Sequence, residues 1–282
     1  MAKRVNRSIG GDVILAVLLL IIGLFMSVPM IYAFGNAFKP LEEFWVFPPH
    51  FLPKRWTLQN FTGLSSLVNS SLVPMSRYIF NTVFITAAGT GGLIVLASMC
   101  AYPMAKKQFP GRGLIFSVIV LSLMFSPAVT SIPNYLVMSA LRLIDNPLAI
   151  IIPAFGLPIG LYLMKQFMEQ MVPDAVLEAA EIDGAAEYKK FWIIVMPMVR
   201  PAWLTLIIFA VQMLWSVGSN VMIFTEQYKT LAYALGQIAA GGLARAGVGG
   251  AVGLIMMSVP IVIFILTQSS IIETMSTSGM KE

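Results

Sequence analysis

Long stretches without a single charged residue alternate along the chain with short clusters of Lys, Arg, Asp and Glu. Six of these stretches, residues 13–38, 78–105, 113–141, 146–164, 201–225 and 246–272, run from 19 to 29 residues. A helix needs about 20 apolar residues to cross a bilayer, so the pattern predicts an all-α membrane protein of six transmembrane helices. A seventh uncharged stretch, 56–76, differs: ten of its 21 residues are Thr, Ser, Asn or Gln. It is too polar for hydrocarbon and predicts an exposed loop or short surface helices. Prolines punctuate the spans. Ser126-Pro127 and Ile132-Pro133-Asn134 predict a broken or kinked third span, and Pro153, Pro158 and Pro260 fall in the fourth and sixth. Proline frees backbone carbonyls, which are tolerated at membrane depth only inside protein or beside a water-filled path. Gly-rich stretches at 89–92 and 247–253 allow close helix packing.

Composition agrees with this pattern: the chain is 58% hydrophobic and 11% charged, against about 25% charged in soluble domains. Lys3, Arg4 and Arg7 precede the first span, whose apolar run exceeds a cleavable signal core and ends in no small-x-small site, so it is expected to be an uncleaved signal anchor. With the N-terminus in the cytoplasm, the tail, the 106–112 turn, the 165–200 segment and the C-terminus hold eleven of the eighteen basic residues. That bias places both termini in the cytoplasm. Three regions follow: 1–76, the anchor helix and first outer loop; 77–274, the transmembrane core with its long connection at 165–200; and 275–282, a cytoplasmic tail. The pI of 9.4 reflects these inward-facing anchors rather than a nucleic-acid surface. Cys100 stands alone as a small core or lipid-facing residue, and the lone His50 is expected at the surface of an outer loop, so neither predicts a metal site. The aromatics of that loop, Phe44, Trp45, Phe47, Phe51 and Trp56, fit either membrane-interface anchors or contacts to an extracytoplasmic partner.

Several classes of function are disfavoured. All thirteen acidic residues lie outside the six uncharged stretches, which argues against a proton-coupled carrier. The stretches also hold no His, Lys or Asp for an intramembrane hydrolase. No G-x-x-x-x-G-K-[ST] loop is present, so any nucleotide site belongs to another polypeptide. A sodium-coupled carrier that uses carbonyls at broken helices remains open.

The connection at 165–200 carries six of the thirteen acids: Glu169, Asp174, Glu178, Glu181, Asp183 and Glu187. Pro173 suits the first turn of a helix, and Asp174, Glu178 and Glu181 follow at i, i+4 and i+7 on one face. Gly184 predicts a turn, with positive φ and a place where a side chain would crowd. A second amphipathic piece follows, with Ala185, Tyr188, Phe191, Trp192 and Val195 on one stripe and Lys189 and Lys190 opposite. Pro197 and Pro201 lead back into the membrane. Such a pair of helices either lies on lipid or docks a soluble partner. The acidic face favours docking, because anionic inner-leaflet lipids repel it.

The run Glu178-Ala179-Ala180-Glu181-Ile182-Asp183-Gly184-Ala185, continuing through Phe191, Ile194, Met196-Pro197 and Arg200-Pro201-Ala202, resembles the "EAA" loop of ABC-importer permeases. The Ile-Asp-Gly-Ala variant resembles their carbohydrate-uptake, MalG-like branch. Ala101-Tyr102-Pro103 with Phe109-Pro110-Gly111-Arg112, Ile132-Pro133, Leu141-Arg142-Leu143 and the tail Thr277-Ser278-Gly279-Met280-Lys281 are similar to other parts of that family, and the resemblance covers about residue 78 to the end. It implies a type I (MetI-like) permease fold in a bacterial or archaeal cytoplasmic membrane. The cytoplasmic EAA coupling helix (Glu178, Ala179, Ala180, Asp183, Gly184 and Ala185) would sit in a cleft of an ATPase, with Glu178 meeting a basic group there, and the tail would reach the ATPase pair.

The implied partners are a second homologous permease, an ABC ATPase dimer, an extracytoplasmic solute-binding protein and membrane lipid, with no nucleic acid. No cofactor would bind this chain; ATP and Mg would sit on the ATPase. The implied solute is a carbohydrate, with a polyol or glycerol-phosphate as the alternative. Trp215-Ser216 stands where many sugar permeases have Trp-Asn, which leaves the solute open. Candidate path residues are Ser126, Thr130, Asn134, Gln212, Trp215, Ser219 and Asn220, polar groups that equally suit hydrogen bonds between helices.

Overall fold

The computed structural model describes residues 9–48, 50–69, 73–218 and 221–278, and every regular element among them is helical. In chain order these are α1 (Ile9–Ala37), α2 (Gln59–Asn69), α3 (Met75–Lys106), α4 (Arg112–Ser122), α5 (Pro127–Ala140) and α6 (Leu148–Phe155). Then come α7 (Pro158–Met171), α8 (Asp174–Ile182), α9 (Glu187–Met198), α10 (Arg200–Trp215), α11 (Leu231–Ala239) and α12 (Ala246–Ser278). Four stretches are long and apolar enough to cross a bilayer: Gly10–Ala37, Met75–Lys106, Leu148–Met171 and Ala246–Gln268. Two bent pairs pass the same test when each is taken together, α4 with α5 at 111° and α9 with α10 at 75°. The number of spans is therefore four, or six if each bent pair is one crossing.

The prolines that break helices are those that also begin one. Pro127 opens α5 after the bend and Pro158 opens α7, at the helical position where a missing N–H leaves no bond unmade. Pro133 and Pro260 lie inside helices that continue past them, so the kink expected at 132–134 does not interrupt α5. The fourth helix also outlasts its uncharged stretch, running to Met171. Its charges are already matched: Lys165 lies 4.0 Å from the Phe116 ring centroid and 2.8 Å from Glu169, which Arg112 meets at 3.0 Å. The long connection thus begins at residue 172 rather than 165.

The chain divides into two compact units. One takes in residues up to 70 together with Leu235–Ile255. In it the segment after α1 is tied down by buried polar groups. Glu43, 7% exposed, accepts the backbone N–H groups of Lys54 and Arg55, each at 3.0 Å. Lys39, 2% exposed, donates to the His50 carbonyl at 2.6 Å, and Asn60 donates to the Ala37 and Lys39 carbonyls. Phe38 packs on Phe34, Trp56 and Phe61, while Trp45 and Phe47 face outward. The polar stretch 56–76 contributes the surface helix α2, as its composition predicts. At Gly250 a Cβ would come within 2.7 Å of the Asn36 carbonyl oxygen, the close approach that the Gly-rich stretch 247–253 anticipates.

The other unit is organised on α3. Its core joins Leu93, Ala97 and Ala101 of α3 to Met164 and Met168 of α7, Val195 of α9, and Leu206 and Ala210 of α10. At the N-terminal end of α3 the loop after α10 is pinned in place. Tyr78 donates to Glu226 at 2.7 Å, Asn81 donates to the Gln227 and Lys229 carbonyls, and Thr82 accepts the Leu231 N–H at 2.7 Å. Asp145 accepts from the Phe224 and Thr225 amides and the Thr225 hydroxyl, and these bonds hold its carboxyl below the usual range, the hydroxyl most strongly.

Candidate functional site

The hairpin of α8 and α9 lies at the other end of α3. Pro173 precedes α8 in an extended conformation, and α8 ends in a left-handed turn. Gly184 has φ +75, its N–H donates to the Glu181 carbonyl at 3.0 Å, and the Ala185 N–H donates to the Ala180 carbonyl at 2.9 Å. This pair of bonds closes a helix on a left-handed residue and satisfies carbonyls that the helix end leaves open. A Cβ on Gly184 would meet nothing within 4 Å. Crowding is therefore not the reason for glycine here; the backbone conformation is.

In α9, residues 190–195 form a π-helical turn. The wider turn brings Lys190, Phe191 and Val195 inward together, at 3%, 6% and 0% exposure, where an α-helical spacing would splay residues 190 and 195 apart. The stripe read from the sequence is corrected on two counts. Lys190 lies on the buried side, drawn there by Glu181 and Glu187 at 3.0 Å each, and Tyr188 is 74% exposed. Phe191 packs on Tyr102 of α3, with ring centroids 5.5 Å apart.

The acids of this segment divide by partner. Glu169 is held by Lys165 and Arg112, Asp174 by Lys106 at 2.8 Å, Glu181 by Lys190, and Glu187 by Lys107 at 2.7 Å and Lys190. The Tyr102 hydroxyl also donates to Glu187 at 3.0 Å. Lys107 first, then Lys190 and Tyr102, hold the Glu187 carboxyl down to about 2 against the opposing effect of burial. The stabilisation from Glu187 is thus present above the usual carboxylate range and lost as pH falls toward 2. Glu187 and then Glu181 push the Lys190 ammonium up. Glu178 and Asp183 form no ion pair among the described residues, and both are exposed. Asp174, Glu178 and Glu181 do share one exposed stripe, but two of the three are spent on the chain itself. Next to the free pair, Ala175, Ala179 and Ile182 make an outward apolar strip, with Ile182 88% exposed. Ala180 faces inward at 8% and Ala185 is half-buried.

The path candidates do not form one group. Ser126 stands at the start of α5 with no capping bond from its side chain, and Thr130 returns its hydroxyl to the Ser126 and Pro127 carbonyls. Asn134 is half-buried further along α5, and Gln212 is exposed on α10. Trp215 is 7% exposed and its ring N–H donates to the Met256 carbonyl at 3.0 Å, a helix-packing contact. Ser219, Asn220 and the tail from Gly279 lie outside the described residues. Cys100 is exposed and lines an apolar cavity of about 240 Å³ with Leu96, Ser122, Phe155 and Pro158.

Sequence reasoning gave Tyr102, Lys106 and Lys107 no partner and did not foresee the burial of Lys190. The clue was available, since a basic pair ends the second span and the acid-rich connection needs a counter-charge. It also passed over Thr86 and Thr90, one turn apart on α3, whose buried hydroxyls have no hydrogen-bond partner among the described residues.

No family profile matches the chain. It is 29% identical over 201 residues to the diacetylchitobiose uptake system permease protein NgcG of Streptomyces coelicolor, covering 71% of this chain and 64% of that protein. It is 30% identical over 190 residues to the sn-glycerol-3-phosphate transport system permease protein UgpE of Yersinia enterocolitica, covering 67% of each. The chain thus spans about two thirds of the length of these relatives. Among solved structures it is similar to a chain in the crystal structure of a bacterial ABC transporter involved in the import of the acidic polysaccharide alginate. There the TM-score is 0.74 and the identity 23%, and the match covers 94% of this chain and 98% of that one.

Proposed function

This chain belongs to the permease family of ABC importers, and on that premise we propose that it is one membrane subunit of an ATP-driven, binding-protein-dependent carbohydrate importer. It crosses the membrane six times, with α4 and α5 together one span, α10 alone another, and both termini in the cytoplasm. The α8–α9 hairpin docks in a cytoplasmic ATPase that carries ATP and Mg. One observation carries this reading. Four of the six acids at 165–200 are neutralised within the chain, while Glu178 and Asp183 form no ion pair among the described residues and stand beside the exposed Ala179 and Ile182. An acidic and apolar surface of this kind suits a basic cleft on a protein and is repelled by anionic lipid. The second permease is supported by the 111° bend between α4 and α5, because backbone that leaves the helix at membrane depth needs protein or water beside it. The outward Val129, Ile132 and Leu136 of α5 offer it an apolar face. An extracytoplasmic binding protein delivers the solute, and ATP-driven closure of the ATPases reorients the spans because the two states bind their ligands differently.

Orientation is tested by labelling intact cells with an impermeant maleimide in a Cys100→Ser background. Ser66→Cys is expected to react and Ile182→Cys to stay unlabelled until the cells are opened; the reverse pattern defeats the topology. The solute is tested by deleting the gene and measuring uptake of labelled oligosaccharides, sn-glycerol-3-phosphate and amino acids. Loss of one oligosaccharide with amino-acid uptake intact is the expected result. Loss of sn-glycerol-3-phosphate uptake instead establishes the second reading, which the similarity to UgpE favours.

A further inference from the structure

Helix α8 has a small apolar seat, with Leu177 packed partly buried against the core. Its single fully buried residue is Ala180, and it joins α9 through the left-handed Gly184, a joint that on its own permits pivoting. Ionic contacts close that joint. The Glu187 carboxylate receives the Tyr102 hydroxyl of α3 at 3.0 Å, the ammonium of Lys107, the residue that caps α3, at 2.7 Å, and the Lys190 ammonium of α9 at 3.0 Å. Lys190, 3% exposed, then reaches Glu181 of α8 at 3.0 Å. One carboxylate and one buried ammonium therefore tie α3, α9 and α8 together, and Lys106 to Asp174 adds a second link between α3 and α8. An exposed ion pair contributes little. Here the ammonium is buried, and a buried charge that loses a partner is costly.

We infer that Glu187 and Lys190 are positioning residues for energy coupling: they fix the hairpin to α3, so that a displacement imposed on the hairpin moves α3 instead of being absorbed at Gly184. The inference rests on the docking reading above. Helix α3 is suited to receive that movement, since its length packs on α6, α7 and α10. Neither residue lies on the free surface of Glu178, Ala179 and Ile182, so loosening the latch and losing the ATPase are separable events. The apolar seat of α9, Phe191 and Val195 with Val199 just after it, is untouched by changes at Glu187 and keeps the hairpin folded.

The test uses the complete importer in proteoliposomes and, as probe, the radiolabelled carbohydrate that the deletion strain no longer takes up. Glu187→Gln, Lys107→Met and the double variant are compared with Glu178→Lys. For Glu187→Gln the ATPase is expected to co-purify in wild-type amount and hydrolyse ATP within about two-fold of wild type, while carbohydrate moved per ATP falls about 10-fold. Because Lys107 acts through Glu187, the double variant should be no worse than Glu187→Gln alone, and Glu187→Asp should recover most of the ratio. An unchanged ratio in Glu187→Gln overturns the inference, as does loss of the ATPase together with transport, which would make Glu187 a docking residue. Failure of the docking reading has a different signature: Glu178→Lys would then retain the ATPase in full.

Discussion

Glu178→Lys is expected to strip the ATPase from the importer while leaving membrane insertion and pairing with the second permease intact. Glu178 lies mid-helix on the outward stripe of α8, and no ion pair engages it among the described residues. Reversing its charge therefore breaks nothing inside the chain. Asp174 and Glu181, a turn to either side, are bound to Lys106 and Lys190, so they hold the helix in place whatever stands at 178. The whole effect falls on the partner. A like charge set against a basic cleft costs several kcal/mol, and about 3 kcal/mol lowers affinity on the order of 100-fold. Quantifying the ATPase recovered with tagged permease across a salt series checks this. The deficit should shrink as salt screens the contact, and Glu178→Gln should fall between wild type and Glu178→Lys. Full recovery with Glu178→Lys at low salt would leave α8 as a surface helix and remove the main support for docking.

How far the sequence could be read depended on the range of the interaction that decides each feature. The absence of charge over 19 to 29 residues is a local signal set by the hydrocarbon itself, and it located the apolar helices. It failed at their ends. Lys165 and Glu169 look like the start of a loop, yet they pair with each other and with Arg112 and the helix continues. The turn at Gly184 was also local and was read correctly as a positive φ, though for the wrong reason, since the space beside it is open. The inward placement of Lys190 was beyond periodicity, because the π turn at residues 190–195 shifts the register that an α-helical spacing assumes. Which acids are free could not be read at all. Asp174, Glu178 and Glu181 are alike in sequence, and they are told apart by Lys106 on α3, 68 residues from Asp174, and by Lys190 on α9.

The same hairpin yields a second large effect through its backbone. Gly184 sits at φ +75, a region that β-branched residues almost never enter. Gly184→Val is expected to open the turn, break the two bonds from Gly184 and Ala185 to the Glu181 and Ala180 carbonyls, and swing α8 away from α9. Strain of this kind costs about 1–3 kcal/mol, equivalent to an affinity loss of roughly 5- to 150-fold for the docked ATPase. Open space around the position permits a decisive control. Asn tolerates the left-handed region, and with nothing within 4 Å of a Cβ there its side chain meets no obstacle. Gly184→Asn should therefore bind the ATPase and transport close to the wild-type rate, with Gly184→Ala intermediate. The order Gly, Asn, Ala, Val in ATPase recovery follows backbone preference rather than side-chain volume, in which Asn exceeds Ala. A series ranked by volume instead, with Asn worse than Ala, would show that a partner surface fills the space beside Gly184 and that contact, not conformation, makes glycine necessary at this turn.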